Sequence, residues 1–232
     1  MVMDHSSLRV FRIALCGLFQ VFFAGHARPV DLAAQPQFPP GDSRRLLLVH
    51  GINDSARSMR WVKRFFEARG WRVYAISFQP NNASLPFDVM ARQLDSFVTA
   101  TFPAGEKFDL IAFSMGGLVS RYYIQKLGGY TRVGRFVTIS TPNHGTFWAC
   151  LSGRAGVKQM RPGSDMLRDL NSDVSKLALL HYTSIYTPLD LTILPAVSSR
   201  MSVAHNVIAW VPLHPLMVIM PAPIHAAARA LE

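Results

Sequence analysis

Short apolar runs punctuate the chain at residues 46–49, 73–78, 110–113, 136–140, 184–186 and 207–211. They are continuous more often than alternating, which is how strands read when helices cover both faces of a parallel sheet. Segments of helical period lie between them. One puts Trp61, Val62, Phe65 and Phe66 on a single face, and the next does the same with Met90, Leu94, Phe97 and Val98. A third is expected to start just after Ser114, to bury Leu118, Val119, Tyr122 and Tyr123, and to stop at Gly128-Gly129. This alternation predicts an α/β domain built on a mainly parallel, six-stranded sheet flanked by helices. From about Asn143 to Lys176, four glycines and Pro162 break the periodicity, so loops and short helices over the sheet edge are expected there. The apolar stretch 207–224 carries Pro212, Pro215, Pro221, Pro223 and His214, which argues against a membrane helix.

Upstream of the first strand the pattern changes. Arg9 and Arg12 precede an apolar stretch at 13–24, followed by small residues at Gly25 and Ala27. That is the arrangement of a secretory signal peptide over residues 1–27, too short for a span, and it implies export to the periplasm or beyond. An uncleaved membrane anchor is the alternative. Residues 28–44 hold Pro29, Pro36, Pro39, Pro40 and Gly41 and read as an extended linker, leaving 45–232 as one domain.

Composition narrows the classes further. With 50% hydrophobic and 16% charged residues over 232 positions, disorder and a coiled coil are excluded. The net charge of +10 is spread along the chain without a nucleic-acid motif. A solvated basic exterior accounts for it, and peripheral contact with an anionic membrane surface is its functional counterpart. Two cysteines, Cys16 and Cys150, make neither a disulfide framework nor a zinc site. A monomer is expected.

The chemistry concentrates at Ile111-Ala112-Phe113-Ser114-Met115-Gly116-Gly117, where a strand ends in a serine flanked by small residues and a helix begins. A nucleophile elbow has this form, because the strained turn leaves no room for side chains two positions either side of the serine. It presents the hydroxyl at a helix N-terminus with the Met115 amide free to hold an oxyanion. Ahead of it, the strand at 46–49 runs into His50-Gly51-Ile52-Asn53, where Gly51 permits a close backbone approach and the Ile52 amide is the expected second donor.

These segments resemble the small bacterial lipases and esterases of the α/β-hydrolase superfamily, whose corresponding segments read like Val49-His50-Gly51-Ile52 and Ala112-Phe113-Ser114-Met115-Gly116-Gly117. Residues 182–190, ending Thr187-Pro188-Leu189-Asp190, are similar to that family's strand leading to its catalytic acid. Residues 206–214 are similar to its last strand and catalytic histidine, and the loop at 141–146 to one in larger lipases. The chemistry asks for the same partners: a serine needs a histidine to take its proton, and the histidine a carboxylate to hold its tautomer. Ser114, Asp190 and His214 come in the order this fold requires. Asp165, Asp169 and Asp173 are read as surface or capping carboxylates, His205 and His225 as bystanders, and His144 as a loop-structuring residue and the main rival to His214. Pro215, which restricts the backbone of its predecessor, makes His214 the most delicate assignment.

The resemblance implies an acyl-enzyme mechanism on carboxylic esters, of acylglycerol type, with no metal or cofactor. Asn53, Phe147 and Leu213 are the expected substrate contacts, with Trp148 and Leu216 near them. Little chain is left for a lid, the nearest candidate being 145–176, so an open site is expected. Thioester hydrolysis or acyl transfer on the same triad, and a non-catalytic lipid-binding protein of the envelope, are the alternative functions.

Overall fold

All four side chains of Leu46-Leu47-Leu48-Val49 are out of solvent, which demands apolar cover on both faces of the strand. The computed structural model describes residues 44–232, and the leader at 1–27 and the linker up to residue 43 lie outside them. Six strands, β1 (Arg45–Val49), β2 (Arg72–Ile76), β3 (Phe108–Phe113), β4 (Val133–Ile139), β5 (His181–Tyr186) and β6 (His205–Ile208), form one sheet in the order β2-β1-β3-β4-β5-β6. Every neighbouring pair is parallel.

Alternate residues feed two apolar layers. Leu47, Val49, Leu110, Ala112 and Phe136 pack beneath α2 (Phe87–Thr101) and α3 (Met115–Lys126). Leu46, Leu48, Ile111, Phe113 and Val137 pack beneath α1 (Arg60–Glu67) and α7 (Pro221–Leu231). The α3 helix is buried nearly all round, with Tyr122 only half-buried. Trp61, expected in the core, is exposed, since α1 turns Val62 and Phe66 inward and leaves the indole beside Arg60 and Arg64.

The link from β4 to β5 is made of a 3-10 turn (Phe147–Leu151) and three short helices, α4 (Ala155–Gln159), α5 (Asp165–Ser172) and α6 (Ser175–Ala178). Loops and short helices are what the sequence predicts for this stretch. Val157, Met160, Leu167, Leu170 and Leu177 join the same apolar layer as α2 and α3, so the segment is part of the core wall and not a detachable cover. Among the described residues no helix is long and apolar enough to cross a membrane.

Two strand ends differ from their apolar runs. Beyond β2, Ser77 and Phe78 leave the ladder because the Phe78 amide donates to His50 Nε2 at 3.0 Å instead. Beyond β6, Ala209 to Val211 peel away toward the loop after β5, with Thr187 Oγ1 donating to the Val211 carbonyl at 2.7 Å. Strand order reverses at β1, since β2 lies on one side of it and β3 on the other. The loops after β1 and β3 therefore diverge at the carboxyl edge, where open α/β sheets bind their ligands.

Candidate active site

Ser114 caps α3 with φ 53° and ψ −125°, a conformation that costs a side-chain-bearing residue on the order of 1–3 kcal/mol. The turn is held because the Ser114 amide donates to the Ile139 carbonyl at 2.8 Å and the Gly117 amide to the Ser114 carbonyl at 3.0 Å. A Cβ on Gly116 would lie 2.4 Å from the His50 carbonyl oxygen, and one on Gly117 would lie 1.9 Å from Thr141 Oγ1. Small residues after the serine thus let α3 touch the loop after β1 on one side and the end of β4 on the other.

The Ser114 hydroxyl donates to His214 Nε2 at 2.9 Å, and His214 Nδ1 donates to Asp190 Oδ2 at 2.7 Å. All three side chains are buried. The second oxygen of Asp190 accepts from the Thr192 amide at 2.8 Å and the Ile193 amide at 2.9 Å, which fixes the carboxylate plane. Burial alone would raise the Asp190 pKa; the bond from His214 and the two amides outweigh it and hold the carboxyl below its ordinary value. Asp190 is therefore ionised wherever the imidazole needs it.

His214 opens a 3-10 turn (His214–Val218), and Pro215 is its second residue. A helical first turn needs no amide hydrogen there, so the proline suits the position and restrains the backbone next to the histidine. The Phe113 ring lies 4.8 Å from the imidazole, backing it from the apolar layer. That contact gives the residue before the serine a role in positioning the histidine ring.

The Met115 amide belongs to the first turn of α3 and has no acceptor within the helix. Ile52 lies in the turn after β1, while the Asn53 amide is committed to the Asn81 carbonyl at 2.8 Å. Asn53 itself is exposed, with φ 57°. His50 holds this turn. Its Nδ1 donates to the Gly51 carbonyl at 2.7 Å, and its Nε2 accepts from Phe78. Nothing in the sequence marks that second bond, since the partner is an amide in a loop 28 residues on. Burial lowers the His50 pKa, so the unfolded chain takes up this proton before the folded one does. Stability linked to His50 is complete above its ordinary value of about 6.5 and declines as pH falls toward the lowered one. Comparing urea midpoints at neutral and mildly acidic pH, His50→Gln is expected to flatten this dependence.

The remaining candidates fall outside the hydrogen-bonded chain. His144 meets Asn171 Nδ2 at 3.3 Å and donates its amide to the Ser198 carbonyl, joining its loop to α5 and to the 3-10 turn Ala196–Ser199. Asp169 pairs with Lys126 at 2.7 Å, Asp165 pairs with Arg168, and Asp173 accepts from Ser175 at the start of α6. His205 begins β6 and His225 lies on α7. Phe147 and Leu213 are exposed on segments adjoining the site. Cys150, also exposed, is a free thiol.

A strained serine at a strand-helix junction, hydrogen-bonded to a histidine and through it to a carboxylate, on a parallel sheet with helices on both faces, defines an α/β-hydrolase. The model of the palmitoyl protein thioesterase family matches residues 45–199, and the chain belongs to that family. It is similar to palmitoyl-protein thioesterase 3 of Dictyostelium discoideum, 26% identical over 110 residues that make up 45% of this chain and 38% of that protein. The match thus spans well under half of the curated relative's length. Among solved structures, lipase B of Aspergillus fumigatus superposes with a TM-score of 0.67 at 18% identity, over 88% of this chain and 58% of that one. The mature form of the Bacillus licheniformis lipase BlEst2 gives 0.64 at 16% identity, over 84% and 93% of the two chains.

Proposed function

We propose that the protein is a serine hydrolase of long-chain acyl thioesters and esters, working through an acyl-enzyme on Ser114. The hydrogen-bonded chain from Ser114 through His214 to Asp190 carries this reading. His214 Nε2 takes the hydroxyl proton as Oγ attacks the acyl carbonyl, and Asp190 stabilises the imidazolium that forms. The amides of Ile52 and Met115 receive the oxyanion. His214 then returns the proton to the departing sulfur or oxygen, and water, deprotonated by the same imidazole, releases the fatty acid. None of these steps calls on a metal or cofactor.

Family membership supports a thioester as the preferred bond, and the exposed Phe147 and Leu213 support a long apolar acyl group. Asn53, exposed in the turn after β1, is the residue we assign to the head side of the substrate. A lipase acting on acylglycerols is the second reading, supported by the lipase neighbours at the level of fold.

The test is a matched set of substrates: palmitoyl and acetyl chains, each as a thioester and as an oxygen ester. The palmitoyl thioester is expected to exceed the acetyl one in kcat/KM by about tenfold or more, since each buried methylene contributes about 0.8 kcal/mol. Turnover of oxygen esters alone would replace the thioesterase by a lipase or esterase. Absence of labelling by a serine-directed phosphonate on folded protein would leave a non-catalytic lipid-binding role.

A further inference from the structure

Six large apolar side chains stand in solvent on segments that adjoin the acid and the histidine. Leu189 and Leu191 flank Asp190, Leu213 precedes His214, and Phe147, Trp148 and Leu151 come from the 3-10 turn after β4. Phe147 is 62%, Leu191 66% and Leu151 77% exposed. They are held, not loose. The Phe147 amide donates to the Leu194 carbonyl at 3.0 Å, Trp148 Nε1 to the Leu191 carbonyl at 2.7 Å and Thr146 Oγ1 to the Thr192 carbonyl at 2.9 Å. The 3-10 turn and the loop carrying Asp190 are thereby stitched into one surface. A rigid apolar patch of this kind marks a docking site.

Charge identifies what docks. From Asn143 to Ser164 the chain contains Arg154, Lys158 and Arg161 and no acidic residue. Arg161 donates to the Ala149 and Ser152 carbonyls, fastening this basic stretch to the 3-10 turn, while Arg154 and Lys158 are exposed. The only carboxylate in the facing loop, Asp190, is buried, and its oxygens are taken up by His214 and the Thr192 and Ile193 amides. Asp165, the first acid after this stretch, is paired with Arg168. Apolar side chains including Phe and Trp beside exposed cations are the composition that seats in an anionic lipid interface.

We propose that this rim is a membrane-docking face which lays the mouth of the site against an anionic bilayer, so that an acyl chain passes from lipid to Ser114 without crossing water. What the docking serves rests on the hydrolase reading above; the docking itself does not. The rim is already exposed, so no opening step is needed and soluble esters remain substrates.

Cys150 lies in the 3-10 turn, next to Leu151, and supplies the probe position. In the full-length Cys16→Ser protein an environment-sensitive fluorophore on Cys150 is expected to brighten on vesicles of phosphatidylglycerol and phosphatidylcholine. Lipids carrying a quencher in the acyl chain are expected to dim it, and high salt to weaken the response. The control label goes on Leu179→Cys in a chain lacking both native cysteines. Leu179 is 71% exposed at the opposite end of the sheet, before β5, and is expected to stay in water. The pair Leu151→Ser and Leu191→Ser is expected to lower vesicle affinity at the Cys150 label by about tenfold or more.

A Cys150 label that remains in water on vesicles overturns the proposal, as does an equal change at Leu179. A change that grows with protein concentration in the absence of lipid assigns the rim to a second copy of the chain. An equal response on phosphatidylcholine alone overturns the anionic assignment. Ser114→Ala keeps the rim intact, so docking by that inactive variant separates the fate of this proposal from that of the hydrolase reading.

Discussion

Replacing Ser114 by alanine is expected to lower kcat by about six orders of magnitude while leaving the fold in place. The side chain donates one hydrogen bond, to His214, and alanine is smaller, so neither a clash nor a buried unpaired donor results. What remains is the oxyanion site and whatever binding energy the rim supplies. Asp190→Asn is expected to cost about 10⁴ by a different route. Its oxygen would stay with the amides of Thr192 and Ile193, which leaves the amide nitrogen facing His214 Nδ1. Two donors cannot share that contact, so the imidazole proton moves to Nε2, the atom that must be bare to accept from Ser114. The double variant is expected to be no slower than Ser114→Ala alone, because the residues act as a unit. Release of the chromophore from a chromogenic ester reads all three, and an Asp190→Asn enzyme within tenfold of wild type would remove Asp190 from the mechanism.

How far these residues were legible from sequence depended on how local their partners are. The elbow announces itself because its steric demands fall on Ala112 and Gly116, two positions either side of Ser114. The strands were visible as apolar runs, but the runs undercount them: Arg45, Arg72 and His181 pair in the ladder with polar side chains at its rim. The ends of β2 and β6 were misplaced for a shared reason. An apolar residue reads the same inside a sheet and in a loop tucked over it, and the amide of Phe78 is claimed by His50 in the turn after β1. His214 is legible from chain order and from the likeness of residues 206–214 to a last strand and its histidine, while the fit of Pro215 to a helical first turn appears only in three dimensions. Exposure of Trp61 and of the rim was equally hidden, because a helical or turn pattern gives periodicity without saying what covers each face.

Arg121 is the residue that sequence reasoning passed over most completely. It lies on α3 one turn before Gln125 and reads as a surface position, yet it is fully buried. Its guanidinium donates to Gln125 Oε1, to the carbonyl and side-chain oxygens of Asn143, to the Leu170 carbonyl and to Asn171 Oδ1. These acceptors come from up to 50 residues further along the chain and are all neutral. Burial pulls its pKa down to about 10, which still leaves a cation at neutral pH. Five donors in one plane thus bolt the β4–β5 link, with its rim, to the helix that begins at Ser114. Lysine offers three donors from a single atom and cannot span them. Arg121→Lys is expected to destabilise the protein by about 3–5 kcal/mol, since carbonyls left without donors in the interior cost about 1–3 kcal/mol each. Against a typical stability of about 5–15 kcal/mol this is a shift that urea unfolding resolves easily. A midpoint within error of wild type would show that the network is dispensable. At low temperature, where the variant stays folded, KM for the palmitoyl thioester is expected to rise more than kcat falls, because the link carries Phe147 while Ser114, His214 and Asp190 are held by other bonds.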